Sequence, residues 1–442
     1  MSLHDSAIAA AVDALMPEAA DLFATLARET ADPEIGITRP SYGEGETIAF
    51  RRVAEAATRH GLVVGTDAAA NCIITAPGAA PKGAGIVTGS HLDSVPMGGN
   101  FDGLAGVVAG WLAAAALRRA DVTLANDLTV IGMRGEESAW FSTHHIGSRA
   151  AIGLLPADEL DSSRRFDSGR TLGEHMTDLG CDVAAIRAGT ATFAPADVAA
   201  FLEVHIEQGP VLVYEEIGVG LVTGIRGNLR ARAACCIGET AHSGAVPRGM
   251  RHDAALAVAE FLSRAEAMWI ELEAEGRDMV LTFGKVHTDI AQHSHNKVPG
   301  RMDFCIDVRS HETDTLDIME AFLPKLAAEI GARRGVTFDL GRFSRVTPAP
   351  MAASVRAATT AAADALGIRT MEIASGGGHD AGDFANAGVP AGMIFVRNPN
   401  GSHNPDEAMA LEDFAEAVKV LALAIVRLDR AQAAADAGTV AA

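Results

Sequence analysis

Apolar positions follow two different rhythms along the chain. From residue 1 to about residue 60 they recur at helical spacing, as at Leu15, Leu22, Phe23 and Leu26. Short apolar runs bounded by glycine or proline then take over, at 72–75, 85–89, 127–133 and 201–206. An alanine-rich helix is predicted over 106–117. Strands alternating with helices predict an α/β domain built on a mostly parallel sheet. The pattern changes near Thr223. Strands are predicted near 229–237, 279–286, 301–308 and 336–341, with helices near 252–275 and 313–334. That βαββαβ order describes a small sandwich with its helices on one face. Helix–strand alternation resumes after Pro348 and ends in a helix over 412–430, followed by a tail expected to fray.

The fold class is therefore α/β, a larger domain interrupted by an inserted βαββαβ unit. The expected boundaries are 1–222 and 345–442 for the larger domain and 223–344 for the insert. The length of 442 residues and a 48% hydrophobic, 21% charged balance allow a sizeable core. A net charge of −21 repels phosphate backbones, so nucleic acid and anionic membranes are poor partners. It does not disfavour a small anionic ligand, because one local arginine outweighs a distant, screened field. The five cysteines contain no C-x-x-C pair, which suits buried free thiols in a reducing compartment. The N-terminal run lacks a basic region and reads as a surface helix rather than a signal peptide. The longest apolar run, 107–117, is too short for a membrane span, and a cytoplasmic location is the default.

Candidate chemistry lies at the ends of predicted strands, where open α/β sheets present their sites. One strand leads into His91 and Asp93, and Asp102 follows within a Gly-Asn-Phe-Asp-Gly run. The next ends in Glu136 and Glu137, another in His205 and Gln208, and His403 follows the last. Imidazoles and carboxylates together suit Zn²⁺, Mn²⁺, Co²⁺ or Ni²⁺ rather than a calcium cage. Two metals need a bridging carboxylate, and an unligated one can serve as base, a division that adjacent Glu136 and Glu137 fit. Taken singly, each has an ordinary alternative: a structural histidine, a solvated turn, an Asp-Gly turn. His144, His145, His287, His293 and His295 are more simply polar loop residues than a third metal site.

The motifs GSHLDSVPMGGNFDGLAGV, EES followed by Phe141, HIEQGPVL, NKVPGR, SGGGHDA and GSHNP together resemble M20 metallopeptidase-type amidases. The branch resembled is the hydantoinase/carbamoylase amidases: N-carbamoyl-L-amino acid hydrolases, β-ureidopropionases and allantoate amidohydrolases. The resemblance runs from about Leu22 to Leu428 and implies a mixed-sheet, metallopeptidase-like catalytic domain with a ferredoxin-like lid that also dimerises. It implies two divalent cations per subunit, Zn²⁺ or Mn²⁺, with Co²⁺ or Ni²⁺ as alternatives. His91 and His205 would hold one, Glu137 and His403 the other, and Asp102 would bridge them. Glu136 would be general base and acid, and Asp93 would orient His91. Gln208, His242, Asn296, Arg309, Gly377 and Gly378 would face the substrate.

The sequence departs from that pattern at Ser138-Ala139-Trp140, where the family continues its paired glutamates with glycine and then Arg-Phe. This leaves the substrate open. The expected activity is hydrolysis of an N-carbamoyl amino acid or related ureido acid by a homodimer. The alternatives are an allantoate-type deiminase, an N-acyl amino acid or dipeptide hydrolase, and a catalytically dead binding protein on the same fold.

Overall fold

The computed structural model describes residues 3–79 and 83–440. The chain divides into two compact units, one formed by residues 1–223 and 351–442 and the other by 224–350. None of the described helices is long and apolar enough to cross a membrane.

The first unit is organised on a mixed sheet. Its strands include β1 (Val63–Thr66), β2 (Cys72–Ala76), β3 (Gly85–His91), β4 (Leu128–Met133), β5 (Val198–Ile206) and β6 (Val219–Ile225). Their order is β1-β2-β4-β3-β5, then Ala391–Val396, then β6. The four central strands β4, β3, β5 and Ala391–Val396 are parallel. The flanking pairs are antiparallel, so the sheet is more mixed than the alternating pattern suggests. The parallel strands are buried almost throughout, as a sheet covered on both faces requires.

The helix Leu104–Arg119 is buried on every side from Leu104 to Leu117. Its alanines and glycines let it pack on β3, β4 and β5, against the first helix Leu3–Glu29 and the last, Leu411–Val440. The C-terminal stretch expected to fray instead continues that last helix to Val440, and residues 441 and 442 lie outside the described part. The N-terminal reading likewise holds from Leu3, residues 1 and 2 being outside it.

The second unit pairs Gly227–Ile237 with Arg301–Ser310 at its centre. Val280–Thr282 and Val286–Thr288 flank the latter strand, and Thr337–Asp339 and Ser344–Val346 flank the former. The helices Ala254–Ala274 and Thr313–Arg334 share one core with these strands. The strand predicted over 279–286 is two pieces, which pair with Arg301–Ser310 one residue out of step, Thr282 facing Asp307 and Val286 facing Phe304.

Candidate metal centre

Each central parallel strand delivers one part of the site at its carboxyl end. His91 is the last residue of β3, and Asp102 lies just before helix Leu104–Arg119. Glu136 and Glu137 follow β4, His205 is the penultimate residue of β5, and His403 lies in the loop after Ala391–Val396. Side chains scattered over more than 300 positions meet because the strands are parallel neighbours.

Two ligand groups result. His91, Asp102 and His205 form one, and Asp102, Glu137 and His403 the other. His91 Nε2 and His205 Nε2 lie 3.4 and 3.1 Å from Asp102 Oδ1. His403 Nε2 lies 3.4 Å from Asp102 Oδ2 and 3.3 Å from Glu137 Oε1. Around a zinc-sized cation with bonds of about 2.0–2.1 Å, tetrahedral edges are roughly 3.3–3.4 Å. Asp102 Oδ1 and Glu137 Oε1 are buried without a hydrogen-bond partner. Buried carboxylate oxygens left this way are costly unless a cation meets them. The donor set, its spacing and these two oxygens fit a pair of divalent cations sharing Asp102.

The titration behaviour expresses the same charge crowding. Burial pushes the Glu137 carboxyl up to about 7, with Asp102 and Glu136 adding to the rise against the pull of His403. Burial opposes ionisation of Asp102 too, but His205, His403 and His91 outweigh it and hold its carboxyl well below the usual range. Burial would depress His205, yet Asp102 and Glu203 raise it to about 9. The neighbouring carboxylates of Asp102 and Glu137 raise His403 to about 11 against the effect of burial.

A second layer fixes these groups. The amides of Glu136 and Glu137 donate to Asp93 Oδ1 and Oδ2 at 3.0 and 3.1 Å, and Ser41 Oγ adds a third bond at 2.6 Å. The Nδ1 of His91 lies 3.1 Å from the Asp93 backbone oxygen and 3.4 Å from its carboxylate. Asp93 thus ties the end of β3 to the Glu136–Glu137 turn, a wider role than orienting His91. Ser402 Oγ lies between two carboxylates, within hydrogen-bonding distance of Asp102 Oδ2 and of Glu407 Oε2, while Glu407 Oε1 accepts the amides of Phe101 and Asp102. Gly103 is needed at its place: its φ is +67°, and a Cβ there would overlap the His91 ring.

Gln208 joins the site, its Nε2 donating to Asp102 Oδ2 at 2.8 Å. The loop at Gly377 and Gly378 passes close by, where a Cβ would press on Gln208 Oε1 and His145 Nε2 respectively. His242, Asn296 and Arg309 belong to the second unit. His242 sits opposite Lys297 in a short pairing, beside Asn296, whose backbone oxygen accepts the amide of Ser243. Arg309 lies near the far end of strand Arg301–Ser310, ion-paired to Asp307 at 3.1 Å. Eight residues of strand separate it from Arg301, roughly 25 Å.

Trp140 is the indole that departs from the family pattern. It is buried, stacks on Phe166, and donates its Nε1 to the Ser94 backbone oxygen at 2.7 Å. Among the described residues, His144, His287, His293 and His295 enter no metal-ligating group, and His287 lies within the strand Val286–Thr288 rather than in a loop. For His145 the polar-loop reading is corrected, because its Nε2 lies 3.0 Å from Glu136 Oε1. Sequence reasoning also passed over Asp383, Ser402 and Glu407, although each lies within or beside a motif it had noted. A third ligand group, Glu203, His205 and His379, is buried. Its polar atoms are largely engaged: Glu203 accepts from Ser90 Oγ and the Ala381 amide, and His379 Nε2 meets Ser375 Oγ.

The chain also has relatives among known proteins. The family model for peptidase family M20/M25/M40 matches residues 87–427. The chain is 34% identical over 396 residues to an N-carbamoyl-L-amino-acid amidohydrolase of Paenarthrobacter aurescens, covering 89% of this chain and 94% of that one. It is 30% identical over 400 residues to the allantoate amidohydrolase of Escherichia coli K12, covering 90% and 94%. The crystal structure of a hydantoinase/carbamoylase family amidase from Burkholderia multivorans superposes with a TM-score of 0.83 at 27% identity, covering 93% and 97%. The chain belongs to peptidase family M20/M25/M40, among its hydantoinase/carbamoylase amidases, and is a hydrolase of linear C–N amide bonds.

Proposed function

We propose that the protein hydrolyses an N-carbamoyl-L-amino acid or a closely related ureido acid, using two divalent cations, Zn²⁺ or Mn²⁺. The observation that carries this reading is the pair of ligand groups sharing Asp102, with Glu136 beside them and outside both. The reaction consumes one water and breaks the bond between the carbamoyl carbon and the amino-acid nitrogen. The carbamate released falls to CO₂ and ammonia. Bound at the two groups, the cations would polarise the carbonyl and make water acidic enough to attack near neutrality. His91, His205 and Asp102 would hold one, and Asp102, Glu137 and His403 the other. Glu136 takes the proton from the attacking water and returns it to the leaving nitrogen. Gln208 and the backbone at Gly377 and Gly378 orient the ureido group. Arg309 is assigned to the substrate carboxylate, which its planar guanidinium can grip at two points. Asp93 acts on Glu136 and Glu137 through their amides.

A substrate panel separates this reading from its alternatives. Carbamoyl acids should yield amino acid and ammonia in equal amounts. Formyl, acetyl and dipeptide substrates give amino acid without ammonia, and their preference would move the protein to the N-acyl or peptidase branch. Preference for allantoate would favour the deiminase reading, which the Escherichia coli relative supports. Cation binding without turnover on any of these would leave a binding protein.

A further inference from the structure

The carboxylate assigned as base does not stand alone. His145 Nε2 lies 3.0 Å from Glu136 Oε1, and His145 Nδ1 lies 2.6 Å from Asp383 Oδ2. An ionised carboxylate only accepts hydrogen bonds, so a ring placed between two of them must donate from both nitrogens. Glu136 Oε2 is left on the side of His91, 3.9 Å from its Nε2. The ring is half-buried, its side chain 12% exposed, and His145 is in neither ligand group.

The backbone is arranged to hold this ring. His145 has a φ of +52°, a conformation that side-chain-bearing residues seldom adopt. Three hydrogen bonds hold it there: the amides of His145, Ile146 and Gly147 donate to the backbone oxygens of Glu136, Gly135 and Arg134. The histidine is thus pinned to the same turn that aims Glu136. Asp383 is braced by Ser148 Oγ at 3.3 Å. On the open side stands Gly378, where a Cβ would come within 3.2 Å of His145 Nε2. Residues held in such uncommon backbone conformations are kept where the surrounding structure over-determines them, and they cluster at functional sites.

We propose that His145, held by Asp383, is the positioning residue for Glu136: it occupies Oε1 and leaves Oε2 as the oxygen that handles the proton. This rests on the assignment of Glu136 as base. Glu136 has rotatable side-chain bonds, and without the histidine its carboxylate is free to turn toward the cations or away from the substrate. Misplacement of a reacting group by about 1 Å costs on the order of a hundredfold.

The test uses the metal-loaded full chain with a ureido acid that wild type turns over. His145→Ala should lower kcat by about tenfold to a hundredfold, with KM and metal content little changed. Asp383→Asn should act in the same direction and less strongly. His145→Gln, which keeps a donor toward Glu136, should recover part of the loss and also covers poor folding of the alanine variant. In a Glu136→Gln background, His145→Ala should add almost nothing, whereas a general structural role would multiply the two losses. A readout independent of turnover is the ¹⁵N ring spectrum, in which His145 should carry protons on both nitrogens and respond to Glu136→Gln and Asp383→Asn alike. Unchanged kcat in His145→Ala, multiplicative losses, or a His145 ring indifferent to both substitutions would overturn the proposal. Should wild type turn over no ureido acid, the functional reading fails by itself, and the ring spectrum still decides whether His145 holds Glu136.

Discussion

Glu136 and Glu137 are neighbours in sequence and opposites in environment. Burial and nearby carboxylates raise Glu137 to about 7, whereas His91 and His145 overcome burial to hold Glu136 down at about 2. Glu137 has a buried oxygen with no hydrogen-bond partner, and Glu136 has His145. This supports giving one to a cation and the other to the proton. Glu136→Gln should keep both cations and lower kcat by ~10²–10⁴, the usual share of a general base; kcat within a few-fold of wild type, with full metal content, would remove it from that role. The residues gathered into the ligand groups were legible in the sequence because each sits in a short motif at a strand end. His145 was not. Its partner Asp383 is 238 positions away, and nothing local distinguishes a histidine facing a carboxylate from one in a polar loop.

At the scale of elements, the order βαββαβ was readable from apolar periodicity, but strand continuity was not, because it depends on register against a distant partner strand. What secures the insert's central pair is equally non-local. Asp278 accepts a forked pair of bonds from Arg226, ahead of Gly227–Ile237, and takes the amide of His311, just past Arg301–Ser310. Burial opposes the charge on Asp278, but His311 and Arg226 prevail and hold its carboxyl well below the ordinary carboxylate range. A carboxyl depressed on folding stabilises the fold above its unfolded pKa, about 3.9, and that contribution fades as pH falls toward the folded value. Asp278→Asn should therefore destabilise the insert by about 2 kcal/mol near neutrality, read as a lower melting temperature. The gap to wild type should narrow below about pH 4; a gap independent of pH would show that charge is not the cause. The end of the same strand carries Arg309. Arg309→Ala should lower kcat/KM for a carboxylate substrate by about two to four decades, taking roughly 3–5 kcal/mol for breaking a buried arginine–carboxylate pair at about 1.36 kcal/mol per decade. The loss should shrink for the neutral amide analogue. Equal discrimination between acid and amide in both proteins would place the carboxylate elsewhere, with Gln208, His242 and Asn296 next to test.

For the whole molecule, the acidic surface and the metal site are separate matters. A net charge of −21 is a property of the whole chain, while the proposed chemistry depends on a few groups at the ends of four parallel strands. Assembly is proposed rather than visible in a single chain: a homodimer through the inserted unit, whose edge strands offer unpaired backbone groups. Light scattering at micromolar concentration should give twice the mass of the 45.8 kDa chain, and a monomer would count against it. The central claim is that turnover depends on two cations sharing Asp102. The most direct measurement is to strip the protein with chelator, titrate Zn²⁺ or Mn²⁺ back, and follow bound metal and ammonia release from an N-carbamoyl-L-amino acid together. Activity should be absent at the start and reach its plateau as the second cation per chain binds, while Asp102→Ala should retain neither metal nor activity. Full ammonia release from the stripped protein, or two cations and normal turnover in Asp102→Ala, would contradict it.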